Sequence, residues 1–239
     1  MLSSIANIKR KTNQQRPDVP PHVVFASYIG DRSGSMRNQQ KASANGCYEW
    51  VKSMSEGIIN NGQEGYLTVT FFDDAIEKRI DNIRAKEIVI SYKECDYWSR
   101  PRGMTKLYDT AIMEINELRS RIKEHKKNNP ELKVHGIFQL FSDGTDNKSI
   151  ATEKQLNYAI QEARDDGITC YYLGIGQDAI KIGKRYGFSE EESLSVDIGN
   201  TTSELAFRGC SLSAIRSAST GISSTFKRSL RMSSAPSQY

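Results

Sequence analysis
The chain has little cysteine, little histidine and no long apolar run, and each shortage removes a class of protein. Its four cysteines, Cys47, Cys95, Cys170 and Cys210, are scattered, with no C-x-x-C pair and no histidine at ligand spacing. That argues against a structural zinc site. In a chain without a secretory leader it predicts reduced thiols in an intracellular compartment. No stretch approaches the about 18 consecutive apolar residues that a membrane-spanning helix needs. The opening residues, Met1-Leu2-Ser3-Ser4-Ile5, hold no apolar core of the signal-peptide kind. The expected location is therefore cytoplasmic or otherwise intracellular, with virion association open if the source is a virus.

What is present suffices for one α/β domain with tails. Of 239 residues, 37% are hydrophobic and 26% charged, with a net charge of +4. The charge is uneven. Residues 1–20 carry Lys9, Arg10, Lys11 and Arg16 against Asp18, and residues 205–239 carry Arg208, Arg216, Lys227, Arg228 and Arg231 with no acid. Both ends are basic around a mildly acidic body. Residues 1–21, rich in Lys, Arg, Asn, Gln and Pro, are expected to form a flexible arm. Residues 221–239 are expected to hold the end of a C-terminal helix and a Ser-rich basic tail.

Between these ends, His22 to Ile29 is a run of strand formers that predicts a strand buried on both faces. Ala42, Cys47, Trp50, Val51, Met54 and Ile58 then recur at helical spacing, and Asn60-Asn61-Gly62 stops the helix. Gly65 to Phe72 predicts a second strand. Ala75 to Ile83 and Ile88 to Tyr92 predict two shorter ones, the first at a sheet edge. Cys95 to Gly103 is expected to be a loop, followed by a helix from Leu107 to about His125. Strands over Lys133 to Phe141, Ile168 to Ile175 and Leu194 to Ile198 alternate with helices over Thr152 to Asp166 and Ala179 to Tyr186. A helix containing Leu212, Ile215, Ile222, Phe226 and Leu230 is expected to run past residue 220. The expected fold is α/β: a Rossmann-like, doubly wound, mainly parallel sheet with one short antiparallel edge strand and helices on both faces.

In such a sheet, ligands bind beyond the carboxyl ends of the strands, where the winding direction switches. Three segments bring oxygen-bearing side chains to such positions. Asp31-Arg32-Ser33-Gly34-Ser35 follows the first strand and presents one carboxylate and two hydroxyls, a set suited to a hard cation. The same residue types also make ordinary turns. Gly103-Met104-Thr105 opens a helix, and Ser142-Asp143-Gly144 ends a central strand.

Together these segments resemble the metal-ion-dependent adhesion site of the von Willebrand factor A domain family. That site is built from Asp-x-Ser-x-Ser, Thr and Asp elements in the same order. The resemblance covers roughly residues 22–220. It implies a magnesium ion, with manganese or calcium as substitutes. Ser33 and Ser35 would bind it through their hydroxyls and Thr105 directly or through water, with Asp31 and Asp143 acting largely through bridging waters. It also implies a protein partner that supplies an Asp or Glu carboxylate. Neutral hydroxyl ligands leave the charge of the ion poorly compensated, so an anionic sixth ligand is favoured. The sequence departs from the family at polar Ser27 and at Ile29-Gly30, which predicts looser packing near the site. Asp73-Asp74 would either help shape the site face or make an ordinary turn. Trp98, Arg100 and Arg102 would either form a rim for the partner or belong to an unremarkable surface loop.

Other readings compete. Gly174-Ile175-Gly176 follows a strand and opens a helix, with Asp197 about 20 residues on, as in a dinucleotide fingerprint. It comes late in the fold, whereas that fingerprint opens the first βαβ unit, so a tight turn is the better account. Gly-x-Ser-x-Gly is absent around Ser33, so there is no nucleophile elbow. None of His22, His125 and His135 is placed to serve Ser33 or Ser35 as a base, and the expectation is a non-enzyme. The alternative function is binding of nucleic acid or an anionic surface through Lys9 to Lys11 and the Arg-rich C-terminal segment, which would be salt-dependent.

Overall fold
A strand with no polar face belongs in the middle of a sheet, and the run from residue 22 is found there. In the computed structural model, which describes residues 22–144, 146–176, 178–196 and 200–220, strand β1 (His22–Asp31) is buried along its whole length. It pairs in parallel with β2 (Glu64–Phe72) on one side and β4 (Lys133–Ser142) on the other. The chain reaches β2 through helix α1 (Gln40–Asn60), then adds β3 (Ile76–Arg84) antiparallel at the edge. After helices α2 (Tyr92–Trp98) and α3 (Leu107–Asn128) it crosses to the far side of β1 and lays down β4. Helix α4 (Glu153–Asp165), β5 (Ile168–Ile175), α5 (Ala179–Tyr186), β6 (Ser193–Val196) and α6 (Asn200–Thr220) follow. The strand order is β3-β2-β1-β4-β5-β6. The winding therefore reverses between β1 and β4.

Two apolar cores lie on the two faces. Along β1, Val24, Ala26 and Tyr28 pack with Trp50 and Met54 of α1 and Phe207 and Ile215 of α6. Val23, Phe25 and Ile29 point the other way, toward Leu107 and Ile115 of α3 and Leu156 and Ile160 of α4. This is the period-two pattern of a strand covered on both sides.

Three expectations need correction. Ile88 to Tyr92 is not a strand, and Cys95 to Gly103 is not wholly a loop, because α2 spans Tyr92–Trp98. The edge position beyond β2 is already taken by β3. The chain instead turns back over the α1 face, where Ile88, Ile90 and Trp98 pack on the core. Ser91 and Glu94 form a capping box that starts α2. The antiparallel edge strand expected over Ala75 to Ile83 is β3, with nine residues. Its charged side chains find partners on α3, Lys78 with Glu117 and Asp81 with Arg121. The predicted looseness around Ser27 and Gly30 is also absent. Ser27 is buried, and a Cβ on Gly30 would stand 2.8 Å from the Phe71 ring and 2.9 Å from that of Tyr28. The missing side chain is what lets two aromatic rings close over the strand. The predicted arm, the tail, Asp197 and the helix continuation at Ile222, Phe226 and Leu230 lie outside the described residues.

Helix α6 leans on α1 through glycines. A Cβ on Gly46 would overlap the buried ring of Phe207, which itself packs edge-on against Phe141 with centroids 5.1 Å apart. In an exposed helix, Gly to Ala gains about 1 kcal/mol of propensity. At this position overpacking is expected to reverse the sign, so that Gly46→Ala lowers the unfolding free energy by about 1–3 kcal/mol. A urea midpoint that falls at unchanged slope is the expected result; a midpoint that rises would mean the Phe207 ring yields freely.

Candidate metal centre
The reversal between β1 and β4 leaves a crevice at their carboxyl ends, and the strand register decides what enters it. Gly30 lies opposite Phe141, which sets Asp31 beside Ser142. Asp31 has no exposed surface. One carboxylate oxygen accepts the Ser33 amide at 2.8 Å, and the other accepts the Ser142 hydroxyl at 2.7 Å. Burial pushes the carboxyl up to about 7, although the hydrogen bonds from Ser142 and Ser33 pull it down; the neighbouring Asp143 adds to the rise. Among the described residues no ion pair reaches Asp31. It is a buried acid in want of positive charge.

Ser33 is buried and Ser35 exposed, and their hydroxyl oxygens stand 3.0 Å apart. Gly34 between them donates its amide to the Gly103 carbonyl at 3.2 Å, which draws the Thr105 segment against the β1 turn. Thr105 is buried; its amide donates to Asn147 at 2.8 Å and its carbonyl accepts from the amides of Asn147 and Lys148. Helix α3, which starts two residues later, has no side-chain cap of its own at Lys106. Its free amides are met from the β4–α4 loop, Tyr108 by Asp146 at 3.1 Å and Asp109 by Ser149 at 3.0 Å. Asp143 is half-buried at the end of β4. Its turn is held by the Gly144 amide donating to Ser142 at 2.9 Å and by the Tyr186 hydroxyl donating to the Gly144 carbonyl at 2.7 Å.

The structure thus places Asp31, Ser33, Ser35, Thr105 and Asp143 on three adjoining segments at one end of the sheet. All three histidines belong to the other end. The His22 and His135 rings stack with centroids 5.3 Å apart at the starts of β1 and β4, and His125 packs on Phe25. Of the Gly174 to Gly176 segment, Gly174 and Ile175 close β5, Gly176 turns at φ 69°, and Asp178 caps the short helix α5.

The donor set fits a hard cation. Among the described residues no group of three His, Cys, Asp or Glu is placed to hold a metal ion; the candidate donors are hydroxyls and carboxylates, where a softer metal would want nitrogen or sulfur. The 3.0 Å between the Ser33 and Ser35 oxygens matches the roughly 3 Å separation of neighbouring ligands in an octahedron with bonds of about 2.1 Å.

Residues that sequence reasoning undervalued surround this centre. Asp73, at the end of β2, is no ordinary turn residue: it is fully buried and accepts from Arg32 at 3.0 Å, Arg102 at 2.5 Å and the Ala75 amide at 2.6 Å. Glu77 of β3 holds both arginines as well. Of the proposed rim, Trp98 packs into the core, Arg102 is paired inward, and Arg100 lies over the Tyr97 ring at 5.0 Å. No local pattern announces the Arg32–Asp73 pair, which is 41 positions apart.

The sequence matches no protein-family model and no curated protein. The fold does match solved structures. One is a von Willebrand factor type A protein from Catenulispora acidiphila, with 18% identity over 82% of this chain and 43% of that one and a TM-score of 0.55. The pilus adhesin SpaC from Lactobacillus rhamnosus GG matches with 14% identity over 85% of this chain and 31% of its own, at a TM-score of 0.54. Proximal thread matrix protein 1 from the mussel byssus matches with 14% identity over 82% and 46%, at 0.50. The chain spans less than half the length of each. It has the von Willebrand factor A fold.

Hydrogen bonds from Arg32 draw Glu77 down to about 2 against the opposing effect of burial. Burial pushes Asp73 up, but Arg102, the Ala75 amide and Arg32 together hold it below the usual range. Both acids bind protons more weakly folded than unfolded. The stability they contribute is therefore complete above the ordinary carboxylate range and is lost as the pH falls toward about 2. Urea midpoints are expected to drop between pH 5 and pH 2.5, and Glu77→Gln is expected to flatten that drop.

Proposed function
We propose that the chain is a metal-dependent protein-binding domain, an adhesion or scaffold module that captures an Asp or Glu carboxylate of its partner at the β1–β4 crevice. The ion of choice is magnesium, for which manganese or calcium would substitute. Ser33 and Ser35 would hold it through their hydroxyls, Thr105 directly or through water, and Asp31 and Asp143 largely through bridging waters. When bound, the ion supplies a Lewis-acid position for an anionic ligand. The observation that carries this reading is the 3.0 Å hydroxyl pair of Ser33 and Ser35 on the turn that follows the buried carboxylate of Asp31, which no ion pair reaches among the described residues. The chain's own residues do the rest: Asp31 fixes the Ser33 amide, Ser142 fixes Asp31, and Asn147 fixes Thr105. The backbone that carries Ser33 and Thr105 and the carboxylate of Asp31 are thereby held in place by the chain itself.

The same geometry favours a binding module over a catalyst. Histidine, the commonest base for a serine nucleophile, is not at hand, since the histidines stack and pack at the far end of the sheet. An intracellular setting is supported by four buried cysteines that form no disulfide. Among the described residues, no helix is long and apolar enough to cross a membrane. No observation favours the alternative, phosphate binding by the basic ends. Residues 9–11 and 227–231 lie outside the described residues, and within them Arg208 already faces Glu49 at 3.7 Å.

A ligand that binds only the folded state stabilises it, by about 2.7 kcal/mol at a hundredfold excess over its dissociation constant. Saturating magnesium is accordingly expected to raise the melting temperature of the chain, and Ser33→Ala with Ser35→Ala to abolish the rise while leaving the fold intact. Pull-downs from native lysate with magnesium should retain a partner that EDTA, or the double substitution, releases. Capture that is indifferent to EDTA sinks this mechanism.

A further inference from the structure
Arg32 is the variable residue between Asp31 and Ser33, a place where a side chain could simply point to water. Instead it is among the largest fully buried side chains of the molecule, with 2% of its surface exposed. Its Nε donates to Asp73 at 3.0 Å, and its two terminal nitrogens reach the two oxygens of Glu77 at 3.1 and 2.8 Å. Asp73 takes the Arg102 Nε on the same carboxylate oxygen at 2.5 Å, and Arg102 also pairs with Glu77. Two arginines from different segments thus grip the same two acids.

The backbone repeats the pattern. The Arg32 amide donates to the Phe72 carbonyl at 2.9 Å, and the Arg102 amide donates to the Arg32 carbonyl at 2.9 Å. The Lys106 amide donates to the Asp73 carbonyl at 2.8 Å, and the Gly34 amide donates to the Gly103 carbonyl at 3.2 Å. Gly103, at φ 64°, passes so close to Asp74 that a Cβ there would collide with its carboxylate. Residues 102, 103 and 106 are each tied to residues 32, 34 or 73. Thr105 lies inside that span.

We infer that Arg32, Asp73 and Arg102 form a clamp whose task is to position Thr105 against Ser33 and Ser35, and that Asp73 is its hub. The inference rests on the metal-binding reading above and deepens it. The clamp residues carry no ligand atom. They act through the loop, as positioning residues, by fixing the distance between hydroxyls that come from two separate segments. Planar guanidinium groups suit the task, since each holds two acceptors at fixed angles. An ion that demands near-ideal octahedral geometry penalises a loose third donor more than a flexible cation does.

The test uses the full chain with manganese as the probe ion. In Asp73→Asn, the dissociation constant is expected to rise about 10- to 100-fold, the usual effect of removing an outer-sphere partner, while the circular dichroism remains that of the folded chain. Amide exchange at Arg102 and Lys106, measured without metal, is expected to quicken. Arg102→Met, in a side chain 54% exposed, is the second variant should Asp73→Asn not fold. It is expected to weaken manganese binding by about tenfold, and Arg102→Lys to restore part of the loss. A merely structural role would lower the melting temperature in EDTA yet leave the dissociation constant alone. Manganese bound as tightly in both variants as in the unsubstituted chain overturns the clamp and spares the metal reading. An unsubstituted chain that binds no manganese overturns both.

Discussion

Everything at the upper end of this sheet answers to a carboxylate that has been taken out of water. Asp31 ends the most deeply buried strand, and an ionised acid in that position is expensive unless donors or a cation meet it. The chain supplies two donors, the Ser33 amide and the Ser142 hydroxyl. They do not suffice, for the carboxyl remains raised to about 7. The β1–β4 register, the Ser-Gly-Ser turn and the Gly144 turn can all be understood as arrangements around that one unsatisfied charge.

A second buried aspartate shows how differently the same problem can be solved. Asp73 ends the neighbouring strand and is equally inaccessible, but two guanidinium groups converge on it and hold its carboxyl below the usual range. Arg32 and Arg102 pair with Asp73, whereas among the described residues no ion pair reaches Asp31, which accepts from the Ser33 amide and the Ser142 hydroxyl. A buried acid paired with two guanidinium groups is held by its own ion pairs, whereas one met only by neutral donors keeps a raised pKa. The contrast between two aspartates at adjacent strand ends is the electrostatic basis for assigning different roles to them.

Much of this was legible in the sequence, and the reasons are physical. Period-two and helical apolar spacing give the alternation of strands and helices, and Asp or Thr in a Gly-containing turn beside a strand end or helix start marks where the fold gathers oxygen-bearing side chains. Helix α2 was missed because Ile88 and Ile90 resemble strand residues, although Ser91 and Glu94 spelled out its cap. Gly30 was misjudged because a glycine in a strand suggests weakness, whereas here the Phe71 and Tyr28 rings occupy the space. The Arg32–Asp73–Arg102 cluster could not be read at all: its members lie in three segments with no shared periodicity, and only the folded sheet brings them within reach. Ser142 has no local signal beyond being the neighbour of Asp143, yet its hydroxyl donates to Asp31.

The Asp31–Ser142 contact spans 111 positions of the chain, because the winding reversal seats β4 directly beside β1. No local piece of the polypeptide holds both halves of the crevice. A growing chain that has completed β1, α1, β2, β3, α2 and α3 possesses the Ser33–Ser35 pair and the Thr105 loop but not the serine that steadies the central acid. Contacts this remote form late, after the entropy of closing a long loop has been overcome. The crevice is thus a record of assembly: its two walls meet only in molecules whose central strands have found each other.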